Sequence, residues 1–259
     1  MTNVAANSTN IMARDIPRSD LTRWFYPTAG LVLLVLTVWG FRHFFFHGQS
    51  HPGRPITPPI RTLIIVHGCA MSVWIILFTL QPWLAALRRK KLHMMLGQLG
   101  IAVAAAVFGL GMMVGVSSAR VAPPDFILWD LNRTQFMAVP LFSVVAFAAF
   151  VTVAILKRRQ PAIHKPMMLC GTLAVMGAAI SRIDVLSNLY IGTVWERAFG
   201  PFFMTVVLAL VLLGVRCAIT RSFDRWLALG VTLLIAIAFS TMAIARTDVW
   251  TSFASLLVQ

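Results

Sequence analysis

Charge is what this sequence has least of. Only 12% of its 259 residues are Asp, Glu, Lys or Arg, against 59% hydrophobic. A soluble domain of this length carries roughly twice that charged fraction. The scarcity excludes an ordinary water-soluble domain and requires apolar surface to face lipid. Acidic residues are scarcer still, 8 Asp and Glu against 22 Lys and Arg, for a formal net charge of +14. In a soluble protein that excess would suggest nucleic acid. Here the basic residues stand in short runs at the ends of apolar segments, with no RNA- or DNA-binding motif beside them. That pattern excludes nucleic acid as a partner and fits anionic lipid headgroups. Cysteine is nearly absent. Cys69, Cys170 and Cys217 all fall inside apolar segments, and an odd count there argues for small packing residues rather than a disulfide framework. A P-loop, a nucleophile elbow, an HExxH pair and a retinal lysine in the last span are all missing. So are paired carboxylates inside the apolar segments, which weighs against a proton-coupled transporter. The N-terminal stretch MTNVAANSTNIMARDIPRSD has no apolar core and is not expected to be a cleavable signal peptide. The first apolar segment then serves as anchor and targeting signal together.

What is present is a series of seven long apolar stretches. A spanning helix needs about 20 apolar residues, and the stretches fall at roughly 25–46, 62–84, 93–117, 134–156, 166–187, 200–220 and 225–246. Aromatic residues mark their ends: Trp24 and Tyr26, Trp83, Trp129, Trp195 and Trp226. The loops alternate in charge. One side carries Arg14, Arg18 and Arg23, then Arg88-Arg89-Lys90-Lys91, then Lys157-Arg158-Arg159 with Lys165, then Arg221 and Arg225. On the other side Arg120 and Arg133 are offset by Asp125 and Asp130, and Arg182 and Arg197 by Asp184 and Glu196; Arg54 and Arg61 complete it. The basic side is read as cytoplasmic, which puts the N-terminus inside, the C-terminus outside, and the Asn7-Ser8-Thr9 sequon where it carries no meaning. The expected fold is an all-α, polytopic bundle of about seven spans in a bacterial inner membrane. Residues 1–24 are a cytoplasmic tail, 25–246 the transmembrane domain, and 247–259 a short tail on the far side. The longest loops, His47–Arg61 and Ser118–Arg133, are too short for a separate soluble domain.

Two segments echo each other. RRKKLHMMLGQLG leads into the third span and KRRQPAIHKPMMLCGTL into the fifth. Each reads basic run, histidine, Met-Met-Leu, glycine, as parallel repeats of a helical hairpin would.

The histidines separate into two levels. His43, His47, His51 and His67 lie towards the outer side, while His93 and His164 open the third and fifth spans on the basic side. His43 and His47 are four apart and share a helix face if the first span runs that far, a spacing that can chelate a metal. Met71 shares the face of His67, and imidazole with thioether is a haem or copper ligand set. Met94 follows His93, and Met168 stands four residues after His164, so facing third and fifth spans would bring two axial ligands together or make a soft-metal site. The plainer alternative is that these histidines are interfacial, beside headgroups and basic runs. An ionisable group inside an apolar span nonetheless counts as a functional candidate by default. Arg182 and Asp184 form a second polar cluster, with Arg182 about 24 Å along the helix from Pro166 at 1.5 Å per residue. Two residues apart, they do not face each other, and Arg133, Asp130 and Glu196 are the available partners. Gln81 and Gln98 are expected to hydrogen-bond between helices. Gly97, Gly100, Gly111 and Gly115 give the third span a small-residue packing face.

VHGCAMSVWIILFTLQPWLAALRRKKLHMMLGQLG resembles a family of uncharacterised bacterial inner-membrane proteins. Its marks are a His-Gly near the start of one span, a tryptophan and glutamine within it, and a basic turn before a His–Leu–Gly motif. Here those positions are His67, Gly68, Trp74, Gln81, Arg88, His93, Leu96 and Gly97. QPAIHKPMMLCGTLAVMGAAISRI is similar to the family's later span at His164, Lys165, Met168 and Arg182. The resemblance covers roughly residues 25–185 and implies no established activity. A looser likeness, by analogy, is to b-type membrane cytochromes and oxidase-assembly membrane proteins, which also open spans with histidine.

Three functions stay open. The first is a haem- or metal-binding protein of electron transfer or respiratory-complex assembly. His67, His93 and His164 would be ligands, His43 or His47 would complete the outer site, and haem b, or else copper, would be the cofactor. The second is a non-catalytic accessory subunit of a larger membrane complex, binding lipid or quinone without a cofactor of its own. The third is a small transporter, against which the absence of mid-membrane polar groups and broken helices counts.

Overall fold

The computed structural model describes residues 18–51, 54–56 and 58–258; the expectations for residues 1–17 and for the side chain of His51 lie outside them. The chain forms α1 (Arg18–Gly40), α2 (Arg42–His47), a hairpin of β1 (Gln49–His51) and β2 (Arg54–Pro55), α3 (Arg61–Ala86) and α4 (Lys90–Val121). There follow a second hairpin of β3 (Ile127–Leu128) and β4 (Leu131–Asn132), α5 (Arg133–Phe136), α6 (Ala138–Leu156) and α7 (Pro161–Ile180). Two short helices, α8 (Asp184–Ser187) and α9 (Val194–Phe199), lead through a 3-10 turn into α10 (Phe203–Thr220), α11 (Arg225–Ala245) and α12 (Asp248–Val258).

Seven of these segments are long and apolar enough to cross a membrane. Inside a bilayer no water satisfies backbone N–H and C=O groups, so a spanning segment must pair its own, as a helix does. The tightest pairings lie within the hairpins α3–α4 and α6–α7, which pack together through α4 and α6. Helix α1 packs on α3 and α7, while α10 and α11 close the other side of α7. Helix α7 is therefore the hub, with 72% of its apolar window buried against 22% for α4, which faces outward.

Two span ends differ from the sequence expectation. The first span stops at Gly40 and α2 is a separate helix. A Cβ at residue 40 would stand within 3.0 Å of the Ala179 backbone, so α1 and α7 touch main chain to main chain there before the chain turns away. The fifth span runs from Pro161 to Ile180 rather than 166–187. Pro161 lacks an N–H that a first-turn residue does not need, and the chain after Ile180 makes a short turn at Ser181 and Arg182 before α8 begins.

At the basic end, Arg23 donates from Nε to the Ala86 carbonyl at 2.7 Å, and Trp24 packs on Trp83, pinning the start of α1 to the end of α3. At the far end the short elements make a cap. Trp129 stacks on Tyr190 at 5.5 Å, Trp250 of α12 donates to the Thr134 carbonyl at 3.0 Å, and Arg120 donates to the Leu257 carbonyl at 2.8 Å. The C-terminal tail is thus a packed helix, with Trp250 and Ala254 buried.

Candidate functional site

Helices α3, α4, α6 and α7 enclose the interior to which the candidate histidines belong. On α4, His93, Gly97, Gly100, Ala104, Val107, Gly111 and Gly115 recur at three- and four-residue steps and share one stripe. Ala104, Val107, Gly111 and Gly115 are buried, which fixes that stripe as the inward one. On α3 the matching stripe is His67, Met71, Trp74, Phe78 and Gln81, with Trp74 and Phe78 buried.

The two histidines at the basic end are held alike. His93 Nδ1 lies 3.2 Å from the Gln81 carbonyl and His164 Nδ1 lies 2.9 Å from the Ala154 carbonyl. Each is the fourth residue of the second helix of its hairpin, bonded to the helix before it. A carbonyl can only accept, so Nδ1 carries the proton in both rings, and in the neutral imidazole Nε2 is the nitrogen with the lone pair. The rings are close enough to interact electrostatically. The sequence echo between the hairpins is therefore also an echo in hydrogen bonding.

Beside this pair stands Gln81. Its Nε2 and Oε1 are both buried and have no hydrogen-bond partner. The interhelical hydrogen bond expected of its side chain is not made; its backbone carbonyl instead pairs with His93 Nδ1. The glycine face of α4 is used over only part of its length. A Cβ on Gly111 or Gly115 would strike Val144 or Leu141 of α6, whereas one on Gly97 would meet only Gln81 Nε2 at 3.9 Å and one on Gly100 would meet nothing within 4 Å. Below His93 the inward stripe thus borders unfilled space. The site is a set of two tethered imidazoles, an unpaired carboxamide and two glycines with open space before them.

Towards the far half of the bundle, Trp74 fills the interior. Its indole Nε1 donates to Thr172 Oγ1 at 3.3 Å, and its ring meets Phe147 edge-on at 4.8 Å. Beyond this plug lies His67, 14 residues before Gln81 and so about 21 Å away along the helix. Its ring packs where a Cβ on Gly111 would come within 3.5 Å of Cε1, and its buried Nδ1 has no partner.

The other candidates are dispersed. His43 and His47 lie on α2 with ring centroids 5.5 Å apart, His43 half-buried and His47 exposed. The α2 side chain that reaches the His67–Gly68 turn of α3 is Phe44. Met71 and Met168 are half-buried against the core, and Met94 is exposed on the outward side of α4. Among the described residues no group of three or more His, Cys, Asp or Glu side chains is placed to hold a metal ion. Asp184 pairs with Arg42 at 3.3 Å, not with Arg133, and Asp130 lies 3.8 Å from Arg246. Glu196 accepts from the Gly192 N–H at 2.6 Å. Arg182 packs its guanidinium over Phe41 at 4.9 Å and donates to the Ala178 carbonyl. Burial pushes it down to about 10, so it stays charged at neutral pH.

Loop-by-loop reading misses Arg216. It is the only charged residue of α10, and a lone arginine inside an apolar run is the signal that finds it. The fold defines the class, a polytopic helical membrane protein. No family model, no curated protein and no solved structure matches the chain.

Proposed function

We propose that this membrane protein binds one haem in a chamber among the basic ends of α3, α4, α6 and α7, and serves electron transfer or the assembly of a respiratory complex in a bacterial inner membrane. His93 and His164 would hold it, and the basic face is read as the cytoplasmic one, by its excess of Lys and Arg. The observation that carries the reading is the pair of tethered imidazoles with their Nε2 lone pairs free. Ligand histidines characteristically donate the other ring N–H to a carbonyl or carboxylate, which fixes the tautomer and raises basicity. Among the described residues no group of three or more His, Cys, Asp or Glu is placed to hold a metal ion, which weighs against a zinc site. A haem brings four of its own nitrogens and asks the protein for two. The unpaired Gln81 amide offers hydrogen bonds to a polar edge, and Gly97 and Gly100 put no side chain in the way of a ligand there. Haem would supply one-electron chemistry; the chain's part is to hold the imidazoles and to exclude water through Trp74 and Phe147. His67 belongs to a separate level behind that plug.

A second reading uses the same chamber. The free Gln81 N–H donors suit a quinone carbonyl and the Nε2 lone pairs suit a quinol hydroxyl, as expected of an accessory subunit without haem. The reduced-minus-oxidised visible spectrum of the detergent-purified protein separates the two. A Soret band with sharp α and β bands, lost in His93→Ala and His164→Ala but kept in His67→Ala, supports haem at this pair. A protein that stays colourless after incubation with haem, while still folded, removes the haem reading and leaves the quinone one.

A further inference from the structure

At the basic face, on the side of α7 away from the two histidines' hairpin partners, the ends of α1, α7, α10 and α11 surround an open pocket of about 380 Å³. Its wall carries three cations, Lys165, Arg216 and Arg225, and one anion, Asp224. The Asp224 carboxylate is already engaged at both oxygens. Oδ2 lies 3.3 Å from Arg216 Nε, and Oδ1 caps α11 by accepting from the Leu227 N–H at 3.1 Å. Arg216 is held in place rather than free to swing out. Its guanidinium lies 5.4 Å from the ring centroids of both Phe25 and Tyr26, and Lys165 Nζ lies 5.9 Å from the Tyr26 ring. Yet Arg216 Nη1 is buried with no partner. A buried guanidinium N–H without an acceptor is costly, and Arg216 itself is part of the pocket wall. Two long helices, α7 and α11, also begin at the pocket and add the positive ends of their dipoles.

We propose that this pocket binds an anionic phosphate group, with Arg216 as the central contact and Lys165 and Arg225 beside it. The group is carried either by an acidic phospholipid headgroup at the membrane surface or by a free phosphate from the adjacent water. The mouth favours neither source by charge alone, but Trp226 in its wall and the exposed Phe223 at its edge are the residues expected beside acyl chains. Basic pockets between helices on the cytoplasmic side are known as headgroup sites. This inference does not depend on the haem reading, since no residue is shared between the two sites.

The test is the thermal stability of the full-length protein in a neutral detergent, titrated with a short-chain phosphatidylglycerol, with the matching phosphatidylcholine, and with inorganic phosphate. Saturable stabilisation by phosphatidylglycerol alone identifies a lipid headgroup; stabilisation by inorganic phosphate as well identifies the phosphate itself as sufficient. In either case Lys165→Gln and Arg225→Gln, both exposed at the rim, should each raise the midpoint concentration about fivefold, the effect of one basic residue near an anionic surface. Arg216→Gln should remove the effect altogether. If Arg216→Gln does not fold, the two rim variants still decide the matter. No stabilisation by either anion, or stabilisation of equal midpoint in the rim variants, overturns the proposal.

Discussion

Replacing Gln81 by Met removes two buried polar atoms that nothing in the bundle satisfies, while keeping the side chain's length. Nε2 and Oε1 are both buried without a hydrogen-bond partner. A buried polar group left unsatisfied costs about 1–3 kcal/mol in soluble proteins. In a membrane the unfolded reference state also finds partners, and measured interhelical hydrogen bonds average about 0.6 kcal/mol. The gain expected from Gln81→Met in the cofactor-free protein is therefore about 1 kcal/mol, or about 2–4 °C in Tm for a chain of this size. With ligand bound the sign reverses. If the amide then hydrogen-bonds the ligand, its loss should weaken binding by about five- to tenfold. The assay is a melting curve of wild type and variant in detergent, each without and with added haem. A variant less stable than wild type in the cofactor-free state would refute the reasoning, because it would mean that the amide is already satisfied inside the chamber.

Other parts of the structure make their own predictions. Trp74→Ala opens the plug beside Phe147 and removes the indole donor to Thr172, and should destabilise by about 3–5 kcal/mol in detergent-induced unfolding. Tyr190 lies outside the spans with its buried hydroxyl unpartnered, and burial, with Glu196 adding to it, pushes its phenol above the ordinary value. Its contribution is thus complete below about pH 10 and is lost as pH rises further, where the unfolded chain ionises first. A melting series into alkaline pH should show this fall in wild type and a smaller one in Tyr190→Phe. Asp184→Ala should change stability by less than about 0.5 kcal/mol, since that carboxylate is 69% exposed in its pair with Arg42. Asp224→Ala, which strips Arg216 of its partner and α11 of its cap, should cost about 1–3 kcal/mol by the same unfolding assay.

The seven crossings were legible because lipid demands long apolar helices, and that demand is written residue by residue. The elements between them were not. Helices α8, α9 and α12 are short, and their places depend on single contacts such as Trp250 with Thr134, which no periodicity encodes. The early end of the first span is likewise a pairwise matter, set by Gly40 against the Ala179 backbone. Within the site, the echo between the two histidine segments could be read directly. Its meaning could not, because the carbonyls that tether His93 and His164 belong to residues 12 and 10 positions earlier on another helix. Gln81 and the glycine stripe were visible as polar and small. That the glycines meet Val144 and Leu141 at one end and open space at the other emerges only when α6 is in place.

The most direct test of the central claim is the electron paramagnetic resonance spectrum of the oxidised, haem-loaded protein. Two axial imidazoles predict a low-spin ferric signal in wild type and in His67→Ala, converted to high spin or lost in both His93→Ala and His164→Ala. A low-spin signal that survives either of those two substitutions, or that disappears with His67→Ala alone, would contradict the assignment of the chamber as the haem site.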